Sequence, residues 1–580
     1  MGGMAVPHIF GTITGTSPIE VPASYLDDDF TSIPAFNVMG PLFGAAGNGV
    51  ADDTPAVQLA ITAAQAAGGG VVDFPPGTYL ITGTLNITGS NITLRGAGQR
   101  ATQLHFSNGS ANSIVVNGVS VTQLYGFVLR DMFVTHGTKT GGIALWMLNA
   151  AAIRLVNVAF DQCWNGVLVG DNTNGIEFMY VAINAIQVGG AYGLKWYSVP
   201  PAISAQLTLI DVTVQCRFAG QVAFLRDGFT ATLRVQGLAL LAGTYGYHVI
   251  NTAASASQIP QFDYIDDMEV DGASISAMRI ESMFDAHFSN CDLTNNSGAS
   301  GQGSADLDAL SIVYDAASNT QQMTFTNCYI GNTQRSAARI TARSVGFVNC
   351  TFTDCSKAGV NSYPSIDLGA DGGSSTADNF FVGCKAGAIL GASTNASYGI
   401  RIASGVQRTV MSAVNFNGCS TGAILNNSGN TTNIWTGCLS ITGTRLADSS
   451  FSVNTGASNV LALDRLSDNT TYNVLSLNGT LTTAGALGVY GGAAGDGNFY
   501  YNAGVGSLHA YRVNGVDIGS ISASAFITAG GFQSAAPSGS TAGLWKLGAA
   551  NVVSPTAPNR TIAIDIGGTV YYLAAKTTNN

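Results

Sequence analysis

The amino-acid sequence predicts an all-β solenoid, in which short strands stack rung upon rung along one axis, with a single helix near the N-terminus. Three observations carry this expectation. Eight of the nine cysteines close a four-residue pattern that opens on an aromatic: FDQC (Cys163), FSNC (Cys291), FTNC (Cys328), FVNC (Cys350), FTDC (Cys355), FVGC (Cys384), FNGC (Cys419) and WTGC (Cys438). Short β-branched runs such as IRLVNVAF, QLTLIDVTVQC and QMTFTNCYI alternate with Gly, Asn and Ser turns. Charged residues are 10% of the chain, against roughly 25% in ordinary soluble proteins, while Gly reaches 72. At 580 residues the chain exceeds one globular core, a limit that a solenoid escapes by growing along its axis.

The helix is predicted to begin near residue 55. Asp52, Asp53 and Thr54 offer side-chain oxygens to free N–H groups, and Pro55 suits the first helical position. The run Ala56 to Ala67 places Val57, Ile61 and Ala64 on one side, and Gly68 to Gly70 end it. Next come VVDF, a Pro-Pro-Gly turn, TYLITGTLNI and NITLRG, all strand-forming. In the cysteine pattern the aromatic points into the core, the Asn or Gly turns a corner, and the small thiol packs inside beyond it. Separations vary, 37 residues from Cys291 to Cys328 but 22 from Cys328 to Cys350, as loops of variable length leaving a regular coil require. With no CxxC pair and an odd count, the thiols read as reduced packing residues and no metal or cofactor is expected. Toward the C-terminus a Gly- and Ala-rich stretch has too little apolar content for a core of its own, and TIAIDIGGTVYYLAAK alternates on both sides of Gly567 and Gly568 as a β-hairpin.

Residues 36 to 108, from FNVMGPLFGAAGNGVADDTPAVQLA to ITLRGAGQRATQLHFSN, resemble nearly end to end the opening of the pectate-lyase-like right-handed parallel β-helix proteins. The resemblance implies a right-handed single-stranded parallel β-helix whose first rung is covered by the helix, hiding an edge that would otherwise pair with another chain. FGTITGTSPIEVPASYLDDDFTSI, residues 10 to 33, resembles the peptides that fasten phage tail fibres and tailspikes to the tail. Together these parts look like a bacteriophage tailspike. The expected organisation is a virion-anchoring peptide (1–35), a capping segment (36–108), the β-helix body (109–440), a β-structured trimerisation region (441–535) and a hairpin tip (536–580). The implied partners are a bacterial surface polysaccharide, two further copies in a homotrimer, and phage tail or baseplate proteins. The implied location is the virion.

Composition sets limits on function. A net charge of −11 without a long basic run argues against nucleic acid. No stretch of about 18 apolar residues supports membrane insertion, and MGGMAVPHIF has no secretory pattern. No GxGxxG or GxxxxGK[ST] cradle for phosphates occurs. Hydrolysis of a glycosidic bond generally uses two carboxyl groups, about 5 to 5.5 Å apart for retention and roughly 6.5 to 9.5 Å for inversion. A β-helix offers both spacings, about 6.5 to 7 Å between i and i+2 and about 4.8 Å between rungs. The densest acidic segment is residues 263 to 292, which holds two of the chain's four glutamates. As a strand, DDMEVD places Asp267, Glu269 and Asp271 on one face and Met268 and Val270 toward the core. Crowded carboxylates raise one another's pKa, as a general acid requires. Asp267 or Glu269 is the expected acid, and Glu281 or Asp285, on the following coil, the expected base. The alternatives for this segment are a solvated acidic face or a cation site, although the EF-hand pattern fails at Met278.

Other groups are candidates for binding. Trp196 and Tyr197, ahead of Pro200 and Pro201, suit a loop with a sugar-stacking platform, with packing as the alternative. Arg335, Arg339 and Arg343 recur at steps of four, as receivers of an acidic sugar, as a lyase base, or as a solvated basic stripe. Glu177 and Asp161 are a second acidic possibility. The expected function is a tailspike that binds and cleaves a polysaccharide, by hydrolysis or by lyase chemistry. A non-catalytic tail adhesin is the rival, and a cell-encoded lyase or epimerase a third possibility.

Overall fold

The computed structural model describes residues 34–446, apart from 119–122, 185–186, 242, 253–257, 295–306, 315–319, 370–375, 388–395, 431 and 444–445, and then strands within 509–527 and 560–575. The anchoring peptide expected at 1–35 lies outside the described residues except for its last two, as does most of the 441–535 region.

Helix α1 (Thr54–Ala66) starts with Pro55 in its first turn and buries Val57, Ala60, Ile61 and Ala64 against the strands Ala35–Asn37, Gly70–Phe74 and Leu85–Ile87. Gly68 follows at φ +85, and the Gly68 and Gly69 amides donate to Gln65 and Ala64 carbonyls, closing the C-terminus. The N-terminus departs from expectation. Asp53 makes no capping bond; its buried carboxylate accepts from the Ala46 and Gly47 amides (2.6 and 3.1 Å), while Asp52 accepts from Thr54 N (3.0 Å). Asp53 thus ties the preceding loop to the helix start.

The body is a right-handed parallel β-helix, built as sheets of 23 and 13 described strands. Long strands of the larger sheet, such as Gln261–Asp271, bend at one residue into two faces. In that strand Asp263 and Ile265 point inward on the first face, Met268 and Val270 inward on the second. The bend residue is Asp267 at φ +58, and successive rungs put Asp211, Gly237, Asn290, Asn327, Asn349 and Gly383 at the same place, all left-handed. A second left-handed series opens the first face, with Ala152, Thr232, Phe262, Asp285, Gln322 and Ser344. The two series keep a constant offset of five, as in 157 − 152, 237 − 232, 290 − 285 and 349 − 344. Asn, Asp and Gly dominate the bend because they tolerate positive φ, and their side chains can bridge rungs, as Asn157 Nδ2 does in donating to Asp131 Oδ1 (3.0 Å).

The cysteine pattern behaves as expected and marks two corners. At the bend, Phe288, Phe325, Phe347 and Phe381 stack with centroids 4.5 to 5.2 Å apart, and Cys291, Cys328, Cys350 and Cys384 pack inside beyond it. At the exit from the second face the same role falls to Phe160 and Cys163, Phe352 and Cys355, and Phe416 and Cys419. No thiols are joined in disulfides, and burial pushes Cys216 and Cys419 up to about 12.

A fully buried ion pair anchors one polar network within the apolar core. Arg226 and Asp263, both fully buried, form an ion pair, and Tyr247 Oη donates to Asp263 Oδ2 (2.7 Å). Arg226 also donates to Thr230 Oγ1 and the Thr230 and Gln261 carbonyls (2.7, 2.8 and 2.9 Å) and stacks over the Trp196 ring. Residues 462–580 form a separate unit. Within it His509–Val513, Val516–Ser522 and Ala525–Ile527 make an antiparallel meander, and Arg560–Ile566 pairs antiparallel with Thr569–Ala575, the expected hairpin. Among the described residues no helix is long and apolar enough to cross a membrane.

Candidate active site

The 13-stranded sheet forms the third side of the solenoid and carries a cluster of charged and aromatic side chains. In Tyr192–Ser198, alternation sends Leu194 and Trp196 inward and Lys195 and Tyr197 outward. Parallel register then stacks Lys195, Leu225, His248 and Arg279 in one outward row, and Tyr197, Asp227 and Ile250 in the next. Glu281 extends that second row, its amide donating to the Val249 carbonyl. Lys195 Nζ lies 3.4 Å from Asp227 Oδ2, and Asp227 Oδ1 accepts from Thr252 N and Oγ1 (3.0 and 2.9 Å). His248 Nε2 sits 3.1 Å from Glu281 Oε1, which also accepts from Arg279 Nε at 2.6 Å. The Tyr245 ring leans against His248, with centroids 4.4 Å apart and planes 39° from parallel.

These contacts fix the state of Glu281. The hydrogen bond from His248, reinforced by Arg279, outweighs the cost of burial and lowers its pKa to about 2. Glu281 is therefore an anion at neutral pH, suited to orienting an imidazole and not to donating a proton. Nε2 of His248 is committed to that carboxylate, which leaves Nδ1 for a substrate. Lys195 supplies a cation two rungs away.

The expected acid and base do not meet. Asp267 and Glu269 lie on the second face, in a shallow depression of about 240 Å³ shared with Asp211 and floored by Gly237 and Ala239. The rung neighbour of Glu269 is Asp292, whose pKa rises through burial and through Glu269 and Asp271. Crowding thus acts as anticipated, but on Asp292. Glu281 is on the third sheet, and Asp285 is in the left-handed corner entering the first face, 3.3 Å from His287 Nε2. The pairing of Asp267 or Glu269 with Glu281 or Asp285 is corrected accordingly, because one coil carries these residues around three sides of the solenoid.

Trp196 is corrected too. It belongs to a strand, its indole is fully buried, and Nε1 donates to Ser204 Oγ at 2.7 Å, so no sugar reaches it. Tyr197 points outward beside Lys195, 5.0 Å from its ring centroid. The arginines fall on separate elements: Arg335 stacks over Tyr363, and Arg339, in Ala338–Ile340, faces Ser311 and Asp367 across the rungs. Both flank buried Asp308, whose pKa is raised by burial to about 6. Glu177 pairs with Arg154 (2.9 Å) on the first face, whereas Asp161 lines a groove of about 540 Å³ on the second, so they form no joint site. Lys195, Asp227 and Arg279 carry no signal of their own in the sequence, and His248 reads there as an isolated histidine in no metal spacing or triad, whereas the structure sets it against Glu281. The spacings among these four, 32, 21 and 31 residues, follow coil lengths that only the rung register reveals. Among the described residues no group of three or more His, Cys, Asp or Glu side chains is placed to hold a metal ion.

Known proteins resemble part of this chain. Mannuronan C5-epimerase AlgE6 of Azotobacter vinelandii is 40% identical over 99 residues, 16% of this chain and 11% of that protein. Alginate lyase 7 of the same organism is 42% identical over 73 residues, 12% of this chain and 8% of that protein. The chain thus matches only about a tenth of the length of these relatives. Among solved structures, the N-terminal fragment of bacteriophage phi29 gene product 12 aligns with a TM-score of 0.46 and 14% identity, covering 69% of this chain and 70% of that one. Residues 35–128 match the family described as Rhamnogalacturonase A/epimerase, pectate lyase-like, so over this stretch the chain is pectate-lyase-like in sequence as it is β-helical in structure.

Proposed function

We propose that the protein is a phage tailspike that binds a bacterial surface polysaccharide and cleaves it on the third sheet, with His248 as the proton-moving group. The observation that carries this is the clamping of His248 by an ionised Glu281, beside Arg279 and within two rungs of Lys195 and Asp227. A carboxylate-oriented imidazole next to cations suits removal of a proton alpha to a sugar carboxylate. Lys195 would neutralise the carboxylate, His248 Nδ1 would take the ring proton, and the electron pair would form a carbon–carbon double bond as the glycosidic oxygen leaves and takes a proton from the imidazolium formed on His248. Such lyase chemistry requires an acidic sugar. The names of two relatives that match part of the chain, a mannuronan epimerase and an alginate lyase, support that class of substrate.

Two-carboxylate hydrolysis is the second reading. Asp227 and Glu281 stand two rungs apart in one row, roughly 9.6 Å at the usual strand spacing and at the edge of the inverting range. The low pKa of Glu281 disfavours it as the acid of such a pair. The tail assignment is supported by residues 10 to 33, by the C-terminal hairpin, and by a Gly-rich region suited to a homotrimer. Digestion of purified host polysaccharide tests the binding and the chemistry. Shortening with ultraviolet absorbance from a new double bond is the expected result. Shortening with new reducing ends alone means hydrolysis, and binding without shortening means a non-catalytic adhesin.

A further inference from the structure

The first face carries an unassigned depression of about 440 Å³, lined by Thr208, Arg234, Gln236, Tyr264, Asp266 and His287. Rung register sets Thr208, Arg234, Tyr264 and His287 in one outward row and Gln236 and Asp266 in the next. Tyr264 is an exposed aromatic, at 46%, on a strand whose inward positions already fill the core, so it contributes no packing there. Its ring stacks on His287, with centroids 5.6 Å apart and planes 22° from parallel, and Asp285 holds that imidazole at 3.3 Å. The other ring face, toward Arg234 and the short Thr208, meets no ring or cation among the described residues.

The polar groups around this free face are planar and prepared. Asp266 Oδ1 is fixed by Ser289 Oγ and Asn290 Nδ2 (2.7 and 2.8 Å). Arg234 has no ion-pair partner among the described residues, unlike Arg154 on the same row, which pairs with Glu177. An apolar ring face bordered by a guanidinium, an amide and a carboxylate matches a pyranose, whose C–H face stacks on an aromatic while vicinal hydroxyls take bidentate bonds.

We propose that this depression is a carbohydrate subsite separate from the third-sheet cluster, in which one pyranose ring of a glycan stacks on Tyr264 and is hydrogen-bonded by Arg234, Gln236 and Asp266. The proposal does not depend on cleavage. A glycan held here lies on a different side of the solenoid from His248, so the two sites act on different segments or different chains.

The test is affinity electrophoresis of the full chain through gels containing polymannuronate, polygalacturonate or dextran. Retardation in at least one gel is expected, weakened about tenfold by Tyr264→Ala or Arg234→Gln. Thr208→Trp, which crowds the far side of Arg234 in the same row and leaves Tyr264 intact, is expected to weaken retardation to a similar extent. Retardation in none of the gels, or Tyr264→Ala and Thr208→Trp both running as wild type, overturns the proposal. So does a changed sedimentation coefficient in Tyr264→Ala, which would assign the strip to contact between subunits.

Discussion

Replacing Asp263 by Ala removes the only carboxylate paired with Arg226 among the described residues, at a site where both side chains are 0% exposed. Arg226 keeps its bonds to Thr230 and Gln261 and its stacking on Trp196, but its charge stays buried and uncompensated. Breaking such a pair from one side costs about 3–5 kcal/mol. Asp263→Asn retains an acceptor and the Tyr247 contact, so its cost is about half. Replacing the pair by Arg226→Met with Asp263→Leu is close to neutral, since neither charge is then desolvated. A solenoid opens locally, so hydrogen exchange is the suitable assay, read on the amides of Tyr192–Ser198 and Val222–Gly228. Exchange there is expected to accelerate about 10²- to 10⁴-fold in Asp263→Ala and little in the double variant. Because these strands carry Lys195, Tyr197 and Asp227, third-sheet activity falls in parallel. A cost below about 1 kcal/mol for Asp263→Ala, or a double variant as damaged as the single, would refute the view that the ion pair anchors this part of the core.

Further expectations follow from the site and the corners. His248→Asn is expected to lower turnover by about 10²- to 10⁴-fold with little change in KM, and an unchanged turnover would remove His248 from the chemistry. Glu281 has its pKa depressed from 4.5 to about 2, so it adds stability above about pH 4.5 that is lost as pH falls toward 2. With its side chain 37% exposed, screening reduces this to about 1 kcal/mol. Acid titrations of wild type and Glu281→Gln are expected to differ at pH 7 and to converge near pH 2, and equal stability at pH 7 would contradict the pairing. Gly237→Val places a branched side chain at φ +77, with its Cβ 2.7 Å from Asp211 Oδ1, at a cost of about 1–2 kcal/mol measurable by chemical denaturation.

The fold was legible where one residue type has one structural use. Pro55 and the glycines after Ala67 bracketed α1, the FxxC pattern located corners, and the paired glycines located the C-terminal hairpin. Alternation correctly placed Met268 and Val270 inside and Asp267, Glu269 and Asp271 outside. The site was less legible because a solenoid brings together residues one coil apart, and coil lengths vary with the loops. Glu281 was recognised without its partners, since His248 precedes it by 33 residues and nothing local links them. Trp196 shows a different failure. Its neighbours Pro200 and Pro201 suggested a loop, whereas the alternation of Leu194, Lys195, Trp196 and Tyr197 already described a strand with the indole inside.

The constant offset of five between the two left-handed series has a consequence for how this molecule can change over time. Four residues lie between the series on every rung named above, so the first face admits no insertion without breaking both ladders at once. New specificity on that side must arise by exchanging one side chain for another, in a grid with a repeat of about 4.8 Å along the axis. The other corners bear no such ruler, and there whole loops can be gained, lost or traded while the rungs beneath them stay in step.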